Sequence, residues 1–274
     1  MRLRSLVLAM SVLMGLTQAA FPQTKDRLDR RDKLFGFEAV GLLESVRGSC
    51  TAALIARDVA LTAAHCVYGR EANLTFRMAF SDGAALATRR VEDVAIAPGY
   101  IEAKKRRNRS METENDVALV RLASPIYDAG TNPYDIAEAP RIGTELTLAS
   151  YGRGRMGALT LERGCVLEEF YRGGVIEIDC DATFGSSGAP VFFHSGGRNR
   201  IFAVLTSVIF AEDAADGQAV TFGVQLTDIV PGLLQTLQNR RALAPVSAGA
   251  RRVSVGDRSL NRGGITFMRP GESK

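Results

Sequence analysis

The stretch that decides the fold of this chain is residues 179–191, which run Asp-Cys-Asp-Ala-Thr-Phe-Gly-Ser-Ser-Gly-Ala-Pro-Val. Within it, Ser187 stands between Gly185 and Gly188 and is followed by Ala-Pro. Glycine tolerates backbone conformations that other residues avoid, so this pattern predicts a tight turn with Ser187 at its tip. In such a turn the backbone N–H groups of Gly185 and Ser187 can point into one small space and stabilise an oxyanion. An ordinary Gly/Ser loop would explain the pattern equally well.

A serine hydroxyl becomes a good nucleophile when a neighbouring base takes its proton, and the sequence offers two histidines. His194 comes seven residues after Ser187, at the end of a predicted strand, and we expect it at the surface. His65 follows an apolar run and precedes Cys66. A lone histidine in such a place is usually a hydrogen-bonded core residue, so His65 alone does not establish a base.

Short apolar runs cut by turn residues predict a chain built mostly of β-strands. A first group comprises residues 39–43, 51–55, 59–63, 91–97 and 117–122, and a second comprises 144–149, 175–179, 191–193, 201–208 and 219–226. A break rich in turn residues at 125–140 separates the groups, and the pattern favours a barrel or sandwich over βαβ units. Apolar residues at positions 226, 229, 230, 233, 234 and 237 predict one helix that closes the domain near Arg241.

Both ends of the chain differ from its body. Arg2, Arg4 and an apolar run at 6–16 predict a signal peptide over residues 1–19, so we expect an exported protein, secreted or periplasmic, without a stable membrane anchor. Residues 20–33 are polar and indicate a linker or short propeptide, with ordered structure beginning near Leu34. Residues 242–274 are rich in Gly, Arg and Ser and predict a basic, disordered tail.

The charge distribution argues against a nucleic-acid partner. The net charge is +4, and the tail, with six basic residues against two acidic ones, accounts for the whole excess. The body therefore lacks the basic footprint that a polyanion requires. One basic cluster lies before residue 116 and comprises Lys104, Lys105, Arg106, Arg107 and Arg109. Such a run is usually a solvated loop, and contact with an anionic partner or self-cleavage are the alternatives.

Four cysteines in an exported chain favour two disulfides, for which the sequence allows three pairings. The four are Cys50, Cys66, Cys165 and Cys180. No His/Cys cluster has the spacing of metal ligands, so we expect neither a metal nor an organic cofactor.

Motifs on both sides of His65 and Ser187 decide how these residues are interpreted. Residues 61–66, Leu-Thr-Ala-Ala-His-Cys, resemble the histidine signature of the chymotrypsin (trypsin-like) serine protease family. Residues 48–55 are similar to the family's preceding strand, 115–122 to its aspartate motif Asn-Asp-Val-Ala-Leu, and 222–224 to its closing strand. The likeness covers about residues 34–241, and its pattern is closest to secreted bacterial members.

This resemblance implies an all-β fold of two antiparallel Greek-key barrels with a C-terminal helix. The first barrel would occupy residues 34–130 and the second residues 131–241. It also implies a serine endopeptidase that acts as a monomer on protein or peptide substrates, and the disulfides Cys50–Cys66 and Cys165–Cys180.

In that family's mechanism Ser187 would attack the peptide carbonyl, His65 would take and return the proton, and Asp116 would orient the imidazole. The backbone N–H groups of Gly185 and Ser187 would form the oxyanion hole. Chain order excludes an α/β-hydrolase, because there the aspartate and histidine follow the serine.

The resemblance leaves the specificity open. Asp181 stands six residues before Ser187, where trypsin-like members carry the carboxylate that binds Lys or Arg, but it could equally be structural. The other candidate substrate-binding residues are Thr206, Val208, which would narrow the pocket entrance, and Gly223, which would leave its floor open. Ser186 replaces the aspartate of animal trypsins, so we expect no activation through an ion pair with a new N-terminus.

Two alternatives to a general endopeptidase remain. A catalytically silent homologue could keep the scaffold as a binding or adhesion module. An active protease could instead cut one dedicated partner, with almost no activity on short peptides.

Overall fold

The computed structural model describes residues 24–28, 34–127, 132–152, 157–210 and 219–243. The predicted signal peptide and the part of the predicted tail from residue 244 onward lie outside these residues. The described chain is dominated by antiparallel strands, most of which follow the apolar runs of the sequence.

The first barrel is closed by six strands in the order β2-β3-β4-β7-β6-β5. These strands are β2 (Val40–Ser45), β3 (Gly48–Ala56), β4 (Val59–Thr62), β5 (Thr75–Met78), β6 (Ala87–Ile96) and β7 (Ala118–Leu122). Side chains such as Leu54, Leu61 and Phe76 are fully buried in its core. Closure pairs every strand on both sides, so the barrel has no open sheet edge.

The second barrel closes in the order β8-β9-β10-β13-β12-β11, with β11 returning to β8. Its strands are β8 (Glu145–Ser150), β9 (Leu159–Phe170), β10 (Val175–Ile178), β11 (Pro190–Ser195), β12 (Arg198–Phe210) and β13 (Ala219–Gln225). A 3₁₀ turn at Arg172–Gly174 connects β9 to β10. The predicted fold class, two antiparallel β-barrels with a C-terminal helix, is confirmed.

An N-terminal strand, β1 (Thr24–Leu28), pairs with the outer edge of β9 and places Leu28 opposite Leu159. Leu28 is buried, and the Arg27 guanidinium donates to both carboxylate oxygens of Asp82, at 2.7 and 2.9 Å. Ordered structure therefore begins before Leu34, which corrects the expected start of the ordered chain. The linker or short propeptide over residues 20–33 stays a prediction. The polar sequence Thr-Lys-Asp-Arg-Leu has no strand periodicity, and the pairing comes from the exposed backbone edge of β9.

The described ranges contain four helices: α1 (Ala64–Val67), α2 (Pro98–Arg106), α3 (Arg109–Glu114) and α4 (Val230–Leu243), which follows the last described strand. The predicted closing helix is α4, with Pro231 in its first turn, where the missing N–H costs no hydrogen bond. Val230, Leu233 and Leu237 are buried in the core as the apolar stripe predicts. Among the described residues, no helix has both the length and the apolar character needed to cross a bilayer.

Helices α2 and α3 fold the segment that the sequence suggested was a basic loop. Arg107 separates them in a left-handed conformation with φ 54° and ψ 38°. Asn108 then caps α3, because its side-chain oxygen accepts the Met111 N–H at 3.1 Å. In α2 only Tyr100 and Ala103 are buried, so the helix lacks the apolar stripe by which periodicity would reveal it.

Candidate active site

His65 lies at the edge of the first barrel, in the single turn of α1. Ala63 and Ala64 are fully buried as the chain leaves β4, whereas the His65 side chain keeps 34% exposure. The disulfide Cys50–Cys66 ties α1 to β3 immediately after the histidine. The imidazole is therefore presented at the surface by a turn whose backbone is anchored on both sides.

Asp116 precedes β7 and is 3% exposed. Its Oδ1 accepts the His65 backbone N–H at 2.8 Å, its Oδ2 lies 2.6 Å from His65 Nδ1, and the Thr206 hydroxyl also donates to Oδ2. Because an ionised carboxylate only accepts hydrogen bonds, Nδ1 carries the proton and Nε2 keeps its lone pair. Three donors compensate the buried charge, which would otherwise be costly to hold away from water.

Thr206, which was predicted to bind substrate, has a second role for its side chain. The residue is 6% exposed and its hydroxyl donates to Asp116. Since Thr206 belongs to β12 of the second barrel and Asp116 to the first, this hydrogen bond joins the two barrels. Thr206 is thus a positioning residue for the aspartate.

The turn that carries Ser187 has the glycine conformations expected from the sequence, with φ +95° at Gly185 and +77° at Gly188. The Ser187 carbonyl accepts the Thr51 N–H at 2.9 Å, and the Gly188 N–H donates to Leu205 O at 2.8 Å. A Cβ added to Gly188 would overlap Thr62 Oγ1 and Thr51 O. The serine turn is therefore held at the junction of the barrels, against the strand that leads to the histidine.

The Ser187 hydroxyl forms no hydrogen bond with any described residue, and the outer imidazole nitrogen, His65 Nε2, lies 3.8 Å from Cys66 Sγ. Hydrogen bonds between a nucleophile and its base are often long before a substrate binds. The backbone N–H groups of Gly185 and Ser187 also have no acceptor among the described residues. Two donors beside the serine are thus available to an incoming oxygen.

The residue before the nucleophile candidate is buried and neutral. Ser186 is 1% exposed, and its hydroxyl donates to Ser150 Oγ at 3.0 Å and accepts the Thr183 N–H at 3.4 Å. Hydrogen bonds of a neutral hydroxyl hold the turn at Ser186, where an aspartate would hold it through an ion pair.

The remaining specificity candidates belong to the second barrel and its connections. Asp181 is exposed, and its N–H donates to Oε1 of the buried Glu162 at 2.6 Å. Val208 is half-buried and packs on the core of the second barrel.

Gly223, the predicted open floor of the specificity pocket, lies close to two neighbouring strands. A Cβ at this buried glycine would lie 3.0 Å from Val204 O and 3.3 Å from Ile176 Cγ1. The glycine allows the close approach of neighbouring strands, and the Ile176 side chain fills the space beside it.

Both disulfides implied by the resemblance are present, Cys50–Cys66 and Cys165–Cys180. The donor atoms of Cys50, His65 and Cys66 lie within 4.8 Å of one another, but both sulfurs belong to a disulfide and cannot act as thiolate ligands. His194 is exposed on β11, in agreement with its predicted surface position, and its Nδ1 lies 3.2 Å from Asn199 Oδ1.

Two clefts flank α3 beside the histidine. The cleft on the His65 side has a volume of about 560 Å³, and Tyr100, Lys104 and Ser207 are among its lining residues. Burial and the negative charge of Asp116 raise the pKa of the Tyr100 phenol above its usual value, so the Tyr100 side chain is uncharged at neutral pH. The other cleft, about 620 Å³, is lined by Tyr171 and also reaches Ser207. Sequence motifs did not reveal either cleft, because both depend on α3.

Two closed barrels with a histidine–aspartate pair and a serine turn at their junction define a chymotrypsin-like architecture. Residues 50–199 match the family model of the trypsin-like peptidase domain, which is more than half of the chain. The chain therefore belongs to the trypsin-like peptidase family.

Relatives agree with this assignment. The chain is similar to a glutamyl endopeptidase of Bacillus licheniformis, with 24% identity over 209 residues that cover 70% of this chain and 60% of the relative. A solved structure of a Glu endopeptidase superposes with a TM-score of 0.60 at 16% identity, covering 80% of this chain and 96% of that one. A scabies mite inactivated protease paralogue gives a TM-score of 0.57 at 15% identity, covering 75% and 96%.

Gly188 and Gly197 form a matched pair for testing the serine turn. Their φ angles are +77° and +76°, but a Cβ at Gly197 would meet nothing within 4 Å. We expect Gly197→Ala to lower the free energy of unfolding by about 1–2 kcal/mol through backbone strain alone. Gly188→Ala should cost about 1–3 kcal/mol more, because of overlap with Thr51 and Thr62. Urea unfolding measures both, and equal losses would show that the turn does not contact the first barrel.

Proposed function

We propose that this chain is an exported serine endopeptidase that uses Ser187 as nucleophile, His65 as base and Asp116 as the group that orients the base. The observation that carries the proposal is the contact of Asp116 with His65 Nδ1 at 2.6 Å, which leaves Nε2 as the basic nitrogen. The position of the Ser187 turn at the same barrel junction supports it. Membership of the trypsin-like peptidase family supports the same chemistry.

The proposed reaction has two halves. In the first, the Ser187 hydroxyl proton passes to His65 Nε2 while Oγ bonds to the substrate carbonyl carbon. The carbonyl oxygen becomes an oxyanion that accepts from the N–H groups of Gly185 and Ser187. His65 then protonates the leaving amine, the C–N bond breaks and an acyl-enzyme remains. In the second half, water gives a proton to His65 while its oxygen attacks the acyl carbon. His65 then passes that proton to Ser187 Oγ as the ester C–O bond breaks, which releases the carboxylic acid product.

A sheet edge next to the serine supports a peptide substrate. Strand β12 pairs with β11 as far as Val204, and Leu205 then bonds to the serine turn. Beyond it, Ser207 and Val208 pair with β13 on one side only, and no described strand covers the opposite edge. An extended peptide could add there as a further strand, with its backbone held beside His65 and Ser187.

The proposal extends to the cellular compartment and the oligomeric state of the protein. Two disulfides fit an oxidising environment, and the sequence pattern of residues 1–19 supports export to the cell exterior or periplasm. The proposed active protein is a monomer with a protein or peptide substrate. Neither a nucleic acid nor a membrane anchor is part of the proposal.

The nucleophile is tested by the intact mass of the protein after treatment with a fluorophosphonate. We expect one adduct on the folded native chain, mapped to Ser187, and none on Ser187→Ala, because only an activated serine reacts rapidly. One structural neighbour is described as an inactivated protease paralogue, so the fold is compatible with a silent binding module. A folded native chain that stays unmodified would favour that alternative and contradict the proposed protease.

For the residue before the cut we propose Lys or Arg. The exposed Asp181 carboxylate places negative charge on the loop that leads to Ser187. The name of the glutamyl endopeptidase relative supports the opposite preference, an acidic residue. Hydrolysis of otherwise identical peptides with Arg, Glu or Gln before the bond decides between them. We expect the Arg peptide to be cleaved with a kcat/KM at least about tenfold higher than the Glu and Gln peptides, and Asp181→Asn should reduce this ratio. Fastest cleavage of the Glu peptide would refute the assignment.

A further inference from the structure

The cleft beside His65 carries two arginines that no described residue neutralises. Lys104, Arg107, Arg109 and Glu112 all line it. Lys104 Nζ lies 3.0 Å from Glu112 Oε2, so these two charges compensate each other. Within the described ranges, the guanidinium groups of Arg107 and Arg109 make neither an ion pair nor a side-chain hydrogen bond. Asp116 is buried and its oxygens accept from His65 and Thr206, so the cleft as a whole presents excess positive charge.

The other cations of the basic cluster are already paired within their own helix. Arg106 Nε lies 2.7 Å from Glu102 Oε1, and Lys105 Nζ lies 4.0 Å from Glu102 Oε2. The hydrogen bond from Arg106 lowers the pKa of Glu102, so the carboxylate is ionised at neutral pH. The cluster therefore divides into an internally paired part on α2 and two arginines that face the cleft.

The backbone at Arg107 adds an independent observation. Arg107 ends α2 in the left-handed region, with φ 54° and ψ 38°, a position at which glycine or asparagine is usual. A long side chain is strained there, and strained residues cluster at binding sites. Its conformation favours a role for the guanidinium, since a glycine would have ended the helix at lower cost.

We infer that Arg107 and Arg109 bind a carboxylate side chain of the peptide substrate; this rests on the proposed function. Side chains of an extended peptide alternate between the two faces of the strand. On a peptide paired with residues 206–208, the residue second before the cut would face the cleft that contains His65 and Ser207. Guanidinium groups bind carboxylates through paired, charge-assisted hydrogen bonds, so the site selects Glu or Asp at that position.

The test compares two quenched fluorescent hexapeptides that differ only by Glu or Gln at the second residue before the cleaved bond. The residue before the bond is the one preferred in the peptide series above. We expect the native chain to cleave the Glu peptide with a kcat/KM about tenfold higher than the Gln peptide at low salt. The double variant Arg107→Gln/Arg109→Gln should bring this ratio to within about twofold.

The matched control is Lys105→Gln/Arg106→Gln, which removes the same number of charges from the same segment but outside the cleft. It should keep the preference for Glu. A native ratio near one, or a ratio that falls equally in both double variants, would overturn the inference, because the effect would then reflect overall charge.

A binding measurement separates this inference from the proposed catalysis. Fluorescence anisotropy of the same labelled peptides on the Ser187→Ala background should show the Glu peptide bound about tenfold more tightly than the Gln peptide. Adding Arg107→Gln/Arg109→Gln should remove that difference. If the Glu peptide binds more tightly but the native chain cleaves neither peptide, the proposed protease activity is contradicted and the proposed carboxylate site is supported. Cleavage without any preference would contradict the site alone.

Discussion

The arrangement of the site depends on one buried carboxylate. Asp116 accepts the backbone N–H and the ring Nδ1–H of His65 from the first barrel and the hydroxyl of Thr206 from the second. A charge that is 3% exposed is tolerated only when its oxygens are supplied with donors, so removing any one of them is costly. The same three bonds set the imidazole tautomer, its orientation and the relative position of the strands that bring the residues together.

The serine turn meets this carboxylate network through its backbone. Thr51 of β3 and Leu205 of β12 hold the turn by main-chain hydrogen bonds, and Thr206 follows Leu205 directly. Each barrel thus contributes rigid strand positions, while the reactive groups lie on the short segments that follow them. Glycine follows the serine because Thr51 and Thr62 of the first barrel lie too close to Gly188 for a Cβ. In the same turn, a hydrogen bond between Ser186 and Ser150 stands where animal trypsins have an aspartate.

Apolar periodicity was sufficient to predict the strands and the closing helix. The two barrels and the disulfide pairs were predicted only through the resemblance to the trypsin-like family, which rests on local motifs. Prediction from sequence failed where tertiary pairing overrides local pattern. The polar strand β1 is held by the edge of β9, and the mostly exposed helix α2 has no apolar stripe. The direction of the Thr206 hydroxyl and the filling of the space at Gly223 depend on neighbours distant in sequence. For the same reason the basic cleft beside His65 could not be foreseen, since Arg107 and Arg109 reach it only through the fold of α2 and α3.

The most direct test of this account is the second-order rate at which Asp116→Asn reacts with a fluorophosphonate, compared with the native chain. Asparagine has the shape of aspartate, but its amide group cannot accept from all three donors and favours the wrong imidazole tautomer. With the fold verified by circular dichroism, we expect a rate lower by about 10³- to 10⁴-fold and modification still confined to Ser187. A folded Asp116→Asn variant that reacts at the native rate would show that the carboxylate does not orient His65 and would contradict the proposed site.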